Sequence, residues 1–197
     1  MKMLWLEKLL VNSSWSKKRV TRLAQKLLAF VELDGEAEFL EVGCGSGEVA
    51  RYIARNYCGS VVGIDVDPEQ IELARRNAGD TANVRFLEID STDLPFKDGS
   101  FDVALSFGVL HHIYNWLDAL KEIKRVIKTK GYFVYADLIY PERITEMDRS
   151  SKMSFGLATI DIDEVNSFLE KNGFTKIHSE LTKKLVYQDY EAVYKRN

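Results

Sequence analysis

The stretch Glu41-Val42-Gly43-Cys44-Gly45-Ser46-Gly47 joins one acid to three glycines at alternate positions. Glycines so spaced permit a tight bend with unusual dihedrals and let backbone N–H groups approach a ligand closely. The pattern is Gly-x-Gly-x-Gly, whereas a dinucleotide fingerprint needs Gly-x-Gly-x-x-Gly and Glu48 stands where its last glycine would be. A bound pyrophosphate is therefore disfavoured. Further along, Gly63-Ile64-Asp65-Val66-Asp67 ends an apolar run in an acid, and Asp90-Ser91 follows another such run. A carboxylate at a strand end can accept both hydroxyls of a ribose, each bond contributing about 1.5–3 kcal/mol. Asp90 can accept from an exocyclic amine while the Ser91 N–H serves a ring nitrogen, a pairing that describes an adenine edge; Asp-Ser-Thr is equally ordinary turn chemistry. His111 and His112 offer a general base for an acceptor that arrives protonated, or else cap a helix and pack on Tyr114 and Trp116.

These residues need elements to hold them. Val20, Leu23, Ala24, Leu27, Leu28 and Val31 recur at helical steps, so a helix begins near Ser16. Short apolar or β-branched runs at residues 39–42, 61–64, 84–87, 103–105 and 132–135 read as buried strands. Between them, residues 47–56, 68–78 and 115–127 carry helical patterns, with Asp67 as a cap and Pro68 at the first helical position. Alternating strands and helices imply right-handed crossovers and a mainly parallel sheet with helices on both faces, a three-layer αβα sandwich. Residues 161–172 read as a helix closed by Gly173, and residues 175–181 and 185–194 as two strands whose short link demands antiparallel pairing. Residues 140–159 are polar and unperiodic, as expected of a lid over an acceptor. Met147, Met153 and Phe155 there, with Trp5 and Trp15, are candidate pocket walls or core filling.

With 197 residues, 46% hydrophobic and 29% charged, the chain has the material for one domain with a substantial core. Its net charge of −3 provides no overall attraction to nucleic acid or anionic lipid, so a small-molecule partner is expected and neither nucleic acid nor membrane. The run Lys121, Lys124, Arg125, Lys128 and Lys130 lies at helical spacing beside Ile123 and Ile127 and reads as a solvated face. Cys44 and Cys58 form no disulfide framework and, with three histidines, no spaced metal-ligand set, which fits a reducing compartment. The apolar stretch 3–11 is interrupted by Glu7 and Lys8 and is too short for a membrane span. A cytoplasmic location is expected, with no metal.

Taken together, FLEVGCGSGEVA, VVGIDVDPEQIELAR, FLEIDSTDLPFKDGSFDVALSFGVLHHI and LKEIKRVIKTKGYFVYAD resemble the class I S-adenosylmethionine-dependent methyltransferases, in particular the small-molecule subgroup, from Phe39 to about Leu138. The resemblance implies a Rossmann-like seven-stranded sheet with one antiparallel strand. It implies that Glu41, Gly43, Cys44, Gly45 and Gly47 line the methionine and ribose part of the cofactor, that Asp65 binds the ribose with Val66 and Gln70 beside it, that Asp90 and Ser91 hold adenine, and that Ser106 borders the methyl. S-adenosyl-L-methionine is then the donor and S-adenosyl-L-homocysteine the product, with His111 the candidate base. Ser106-Phe107-Gly108-Val109 replaces the Asn/Asp-Pro-Pro-aromatic turn of exocyclic-amine methylases, and neither cysteine follows a proline as a cytosine C5 nucleophile would. A small-molecule acceptor is expected; RNA or protein methylation, a non-catalytic cofactor-binding partner subunit and a nicotinamide oxidoreductase are the competing readings.

Overall fold

Strand β1 (Ala37–Val42) is enclosed on both faces, so its successive side chains must find apolar partners in two directions. Phe39 points into a core shared with Ala24, Leu27 and Ile53, while Leu40 and Val42 point into a second core with Leu120 and Ile123. This computed structural model describes residues 12–150, 157–158 and 160–197; Trp5, Met153 and Phe155 lie outside them. Around β1 the described chain runs α1 (Ser14–Leu28), β1, α2 (Glu48–Asn56), β2 (Gly59–Asp65), α3 (Pro68–Ala78), β3 (Val84–Glu88) and β4 (Phe101–Phe107). A 3-10 turn (Leu110–His112), α4 (Trp116–Val126), β5 (Ile127–Ile139), α5 (Glu142–Ser150), α6 (Ile162–Lys171), β6 (Phe174–Lys183) and β7 (Gln188–Arg196) follow.

The sheet order is β3-β2-β1-β4-β5-β7-β6, with β7 antiparallel to both its neighbours and the other pairs parallel. Helices α1, α2 and α3 supply one core and α4 and α6 the other, which makes the three layers expected. Strand order reverses between β1 and β4, and the carboxyl ends flanking such a switch form the crevice in which α/β proteins hold ligands. No described helix is long and apolar enough to cross a membrane.

Local chemistry fixes the helix starts. The Asp67 carboxylate accepts the Glu69 N–H at 3.0 Å with Pro68 in the first turn, and Asp161 accepts the N–H groups of Asp163 and Glu164. Three details depart from the sequence expectation. Ile127 opens β5 and pairs with Phe101 instead of closing α4. Residues 140–159 are not wholly irregular: Pro141 accepts the Ile144 N–H and starts α5, whose largely polar face carries no apolar stripe to betray it. Leu185 lies in the turn before β7, where Lys184 N–H donates to the Tyr187 carbonyl at 2.9 Å, and is fully exposed.

The basic run does not form one helical face: Lys121, Lys124 and Arg125 lie on α4, while Lys128 and Lys130 fall on β5, where Lys128 pairs with Asp102 at 2.8 Å. Arg125 bonds both oxygens of Glu122, the Asp98 carboxylate and the carbonyls of Leu94 and Phe96, and so ties the β3–β4 connection to α4. Replacing Arg125 with Met should lower unfolding stability by about 1–3 kcal/mol and speed amide exchange in residues 94–98; urea titration and hydrogen exchange with unchanged values would show the connection is held otherwise.

Candidate active site

The glycine bend leaves β1 with Cys44 N–H donating to the Ile64 carbonyl at 2.9 Å and Gly47 N–H to the Cys44 carbonyl at 2.8 Å. Gly43 and Gly45 occupy left-handed backbone, with φ of 68° and 50°. Their surroundings differ. A Cβ on Gly43 would stand 2.2 Å from Val109 Cγ2, whereas one on Gly45 would meet nothing nearer than Gln70 Oε1 at 3.9 Å. Gly43 thus lets the bend press on the turn after β4, and Gly45 turns an open face outward.

Asp65, at the end of β2, tethers that bend: Oδ2 accepts the Gly45 N–H and Oδ1 the Asp67 N–H, both at 2.9 Å. Burial raises its pKa, countered by those two backbone donors. Each oxygen keeps capacity for a hydroxyl donor. Glu41, at the end of β1, accepts the Ala50 N–H at 2.8 Å, and burial pushes its carboxyl up to about 8, with Asp65 and Glu48 adding like charge. Two acids beside an open backbone bend fit a ligand that combines hydroxyls with positive charge.

A cavity of about 780 Å³ opens from this bend along the ends of β4 and β5. Glu41, Gly43, Cys44 and Gly45 form one wall, and Phe107, Ala136, Leu138, Tyr140 and Leu157 an apolar stretch of another. His111 and His112 stand between them. The His111 ring is buried, and its Nδ1 lies in a short contact with Asp137 Oδ1. The Leu138 N–H, at 2.8 Å, also holds this carboxylate. With Nδ1–H committed to Asp137, Nε2 is the nitrogen able to accept a proton. Helix α1 closes a further side with Ser16, Lys17, Arg19, Val20 and Leu23. Arg19 reaches Asp189 at 3.0 Å and Lys26 bonds Glu180 and Glu191 on β6 and β7. His178, Glu180 and Glu191 offer ligand atoms within 4.8 Å of one another, but the Lys26 ammonium already sits with both glutamates.

The cavity therefore brings together Glu41, Gly43, Cys44, Gly45 and His111. Asp65, Val66, Asp90 and Ser91, at or just past the strand ends, and Gln70, in the first turn of α3, are not on its wall. Gln70 is buried under Gly45, Val66 is 44% exposed, and the Ile89 N–H donates to the Asp65 carbonyl at 3.1 Å, which brings the Asp90 turn alongside. Asp90 Oδ1 accepts both the N–H and hydroxyl of Thr92. Gly47 caps α2 against Phe86, away from the wall. Ser106 is wholly enclosed with no hydrogen-bond partner for Oγ, and Phe107 takes the place on the wall. Trp15 and Met147 are 74% and 63% exposed and belong neither to the wall nor to the core. The sequence reading missed Asp137, whose signal is a single acid ending the apolar run 132–136.

A doubly wound sheet with a glycine bend at β1 and an acid at β2 defines a nucleoside-binding α/β domain. Residues 40–135 match the family described as "Methyltransferase domain". The chain is 31% identical to "O-methyltransferase cnsE" of Penicillium expansum over 70% of this chain and 52% of that protein. It is 34% identical to "Fatty-acid O-methyltransferase" of Mycolicibacterium smegmatis over 66% of this chain and 47% of that one. It thus spans about half the length of these curated relatives. The crystal structure of the [4+2]-cyclase SpnF superposes with a TM-score of 0.77 at 20% identity, covering 94% of this chain and 84% of that one. Residues 40–135 are thus a methyltransferase domain, and the fold around them is that of the class I S-adenosylmethionine-dependent methyltransferases.

Glu41 carries a pH signature. Between its unfolded value near 4.5 and its folded value of about 8, the folded protein keeps a proton the unfolded chain has lost, so stability falls as pH rises through this window. In Glu41→Gln that decline should vanish, and the variant should gain on wild type by up to ~1 kcal/mol per pH unit from pH ~5 to ~8, then run parallel above. Urea unfolding at several pH values measures it; parallel curves throughout would mean an ordinary carboxyl.

Proposed function

We propose that this protein transfers the methyl group of S-adenosylmethionine to a hydroxyl of a small, largely apolar acceptor. The observation that carries this reading is the buried His111–Asp137 pair opening on the same cavity as the glycine bend. Bound there, S-adenosylmethionine supplies a methyl carbon on a sulfonium, and the electron pair of the broken C–S bond returns to sulfur. The residues beside it do the rest. Gly45 admits the methionine part against backbone, with Gly43, Cys44 and Gly47 shaping the bend; Glu41, protonated up to about pH 8 without the ligand, ionises as the positive charge comes in beside it; Asp65 takes the ribose hydroxyls with Gln70 below. Asp90 and Ser91 receive the adenine edge, and the exposed Val66 covers its face.

The acceptor lies against Phe107, Leu138, Tyr140 and Leu157, its hydroxyl directed at His111 Nε2. As the oxygen bonds to the methyl carbon its proton passes to Nε2, and the Asp137 carboxylate stabilises the resulting imidazolium. Holding nucleophile and methyl in line can lower the barrier by about 7–11 kcal/mol, and a positioned base adds roughly 10²–10⁴ in rate. Ser106, enclosed one residue before Phe107, shapes the wall rather than touching the methyl. Two relatives are named as O-methyltransferases, one of fatty acids, which suits an oxygen nucleophile on an apolar body. Because the same fold houses a [4+2]-cyclase, the reading stands on the site rather than on the fold.

The test separates donor from acceptor. Asp65→Ala should weaken S-adenosylhomocysteine binding by at least roughly tenfold, measured by calorimetry. His111→Gln and Asp137→Asn should leave that affinity within about twofold while turnover falls by roughly 10²–10⁴. Methyl-labelled donor incubated with fractionated cell extract should mark small hydroxylated molecules. Label in RNA or protein, or equal losses of binding and turnover in His111→Gln, would overturn the reading.

A further inference from the structure

Nine large hydrophobic side chains are markedly exposed among the described residues, and four of them, Ile177, Leu181, Leu185 and Val186, fall on β6 and the turn into β7. Leu185 is 100% exposed. Nothing in the fold requires this, since Lys183 still pairs with Gln188 and the Lys184–Tyr187 hydrogen bond closes the turn with its apolar residues pointing outward. Lys183 and Lys184 are exposed beside the turn, whereas Lys176, next to Ile177 near the start of β6, bonds Asn166 at 3.1 Å. The hairpin's acids are already engaged: Glu180 and Glu191 by Lys26, and Asp189 by Arg19 at 3.0 Å and Lys184 at 4.0 Å. Lys183 has no counter-ion among the described residues. An apolar tip flanked by Lys183 and Lys184 has the composition of an interfacial anchor, in which apolar side chains enter the headgroup boundary and the ammonium groups meet lipid phosphates. Two copies meeting tip to tip would bring like charges together, which argues against self-association.

The tip adjoins the cavity. Glu180, Thr182, Asp189, Tyr190 and Glu191 of the same hairpin line it, and the Tyr187 ring stands 5.9 Å from Tyr140, itself 5.7 Å from the His111 ring. We propose that the β6–β7 tip docks on anionic phospholipid bilayers through Leu185, Val186 and the flanking lysines, holding the cavity mouth at the surface from which an apolar acceptor is drawn. The docking stands on the hairpin alone; only the passage of the acceptor rests on the methyl-transfer reading.

Sedimentation of the full chain with phosphatidylcholine vesicles containing about a third phosphatidylglycerol tests it. Binding is expected to these vesicles, at least roughly tenfold weaker to phosphatidylcholine alone, and weakened by salt. Leu185→Ser combined with Val186→Ser, and separately Lys183→Glu combined with Lys184→Glu, should each reduce binding at least about tenfold. Both pairs lie in or beside an exposed turn, so S-adenosylhomocysteine binding should be unchanged and reports folding. No binding to either vesicle, equal binding to both, or full binding by the serine variant overturns the proposal. So does lipid-independent self-association that the serine variant abolishes, which would make the tip a contact between copies. Failure of methyl transfer with vesicle binding intact would count against the proposed function and not against the docking.

Discussion

The hydrogen bond from Gly45 N–H to Asp65 Oδ2 ties the glycine bend after β1 to the end of β2, the two halves of the proposed cofactor cradle. A carboxylate withdrawn from water is costly unless donors surround it, and here the donors are backbone groups whose positions depend on the bend itself. The bend in turn depends on left-handed dihedrals at Gly43 and Gly45. Acid, bend and strand spacing are therefore one constraint: β1 and β2 must end in register, as the pairing of Val42 with Ile64 ensures. Burial and the neighbouring Asp65 make a second negative charge costly here, so Glu41 keeps its proton up to about pH 8, and a cationic ligand favours its ionisation where a neutral or anionic one does not. This distinguishes a sulfonium from a pyrophosphate more sharply than the glycine spacing does.

The reacting half is built differently. β5 runs on to Ile139, beyond the end of its parallel pairing with β4, because β7 pairs with it along Tyr132–Ile139. That extension carries Asp137 and Leu138 to the cavity and lets the carboxylate meet His111 from the turn after β4. The antiparallel strand thus has a functional consequence. It also supplies Asp189 and Glu191, which anchor α1 through Arg19 and Lys26 over the open side.

What could be read from the chain alone follows from how local each cause is. The glycine bend, the acids ending β2 and β3, and the Asp67-Pro68 helix start are set by residues within a few positions of one another, and they occur where the sequence predicts. Asp137 was not legible because its role arises from a partner 26 residues away. α5 lacks an apolar stripe that would announce it, and Leu185 has the apolar character of a strand residue yet stands fully exposed in the turn. Ser106 illustrates the reverse: one residue of strand register decides whether a side chain faces the cavity or the core, and Phe107 is the one on the wall.

Net charge bears on the proposed docking only through its local distribution. A sum of −3 excludes attraction to anionic surfaces only if the charges act as a sum, and at physiological ionic strength they act within about 8 Å. On the hairpin the three acids Glu180, Asp189 and Glu191 are met by Arg19 and Lys26 of α1 together with Lys184 of the turn, which leaves Lys183 at the proposed docking tip without a counter-ion among the described residues. The ion pairs that fasten α1 over the cavity are then the same ones that give the tip its positive character. Under the proposed reading, covering the acceptor and presenting the docking edge would be two effects of a single set of contacts between α1 and the β6–β7 hairpin.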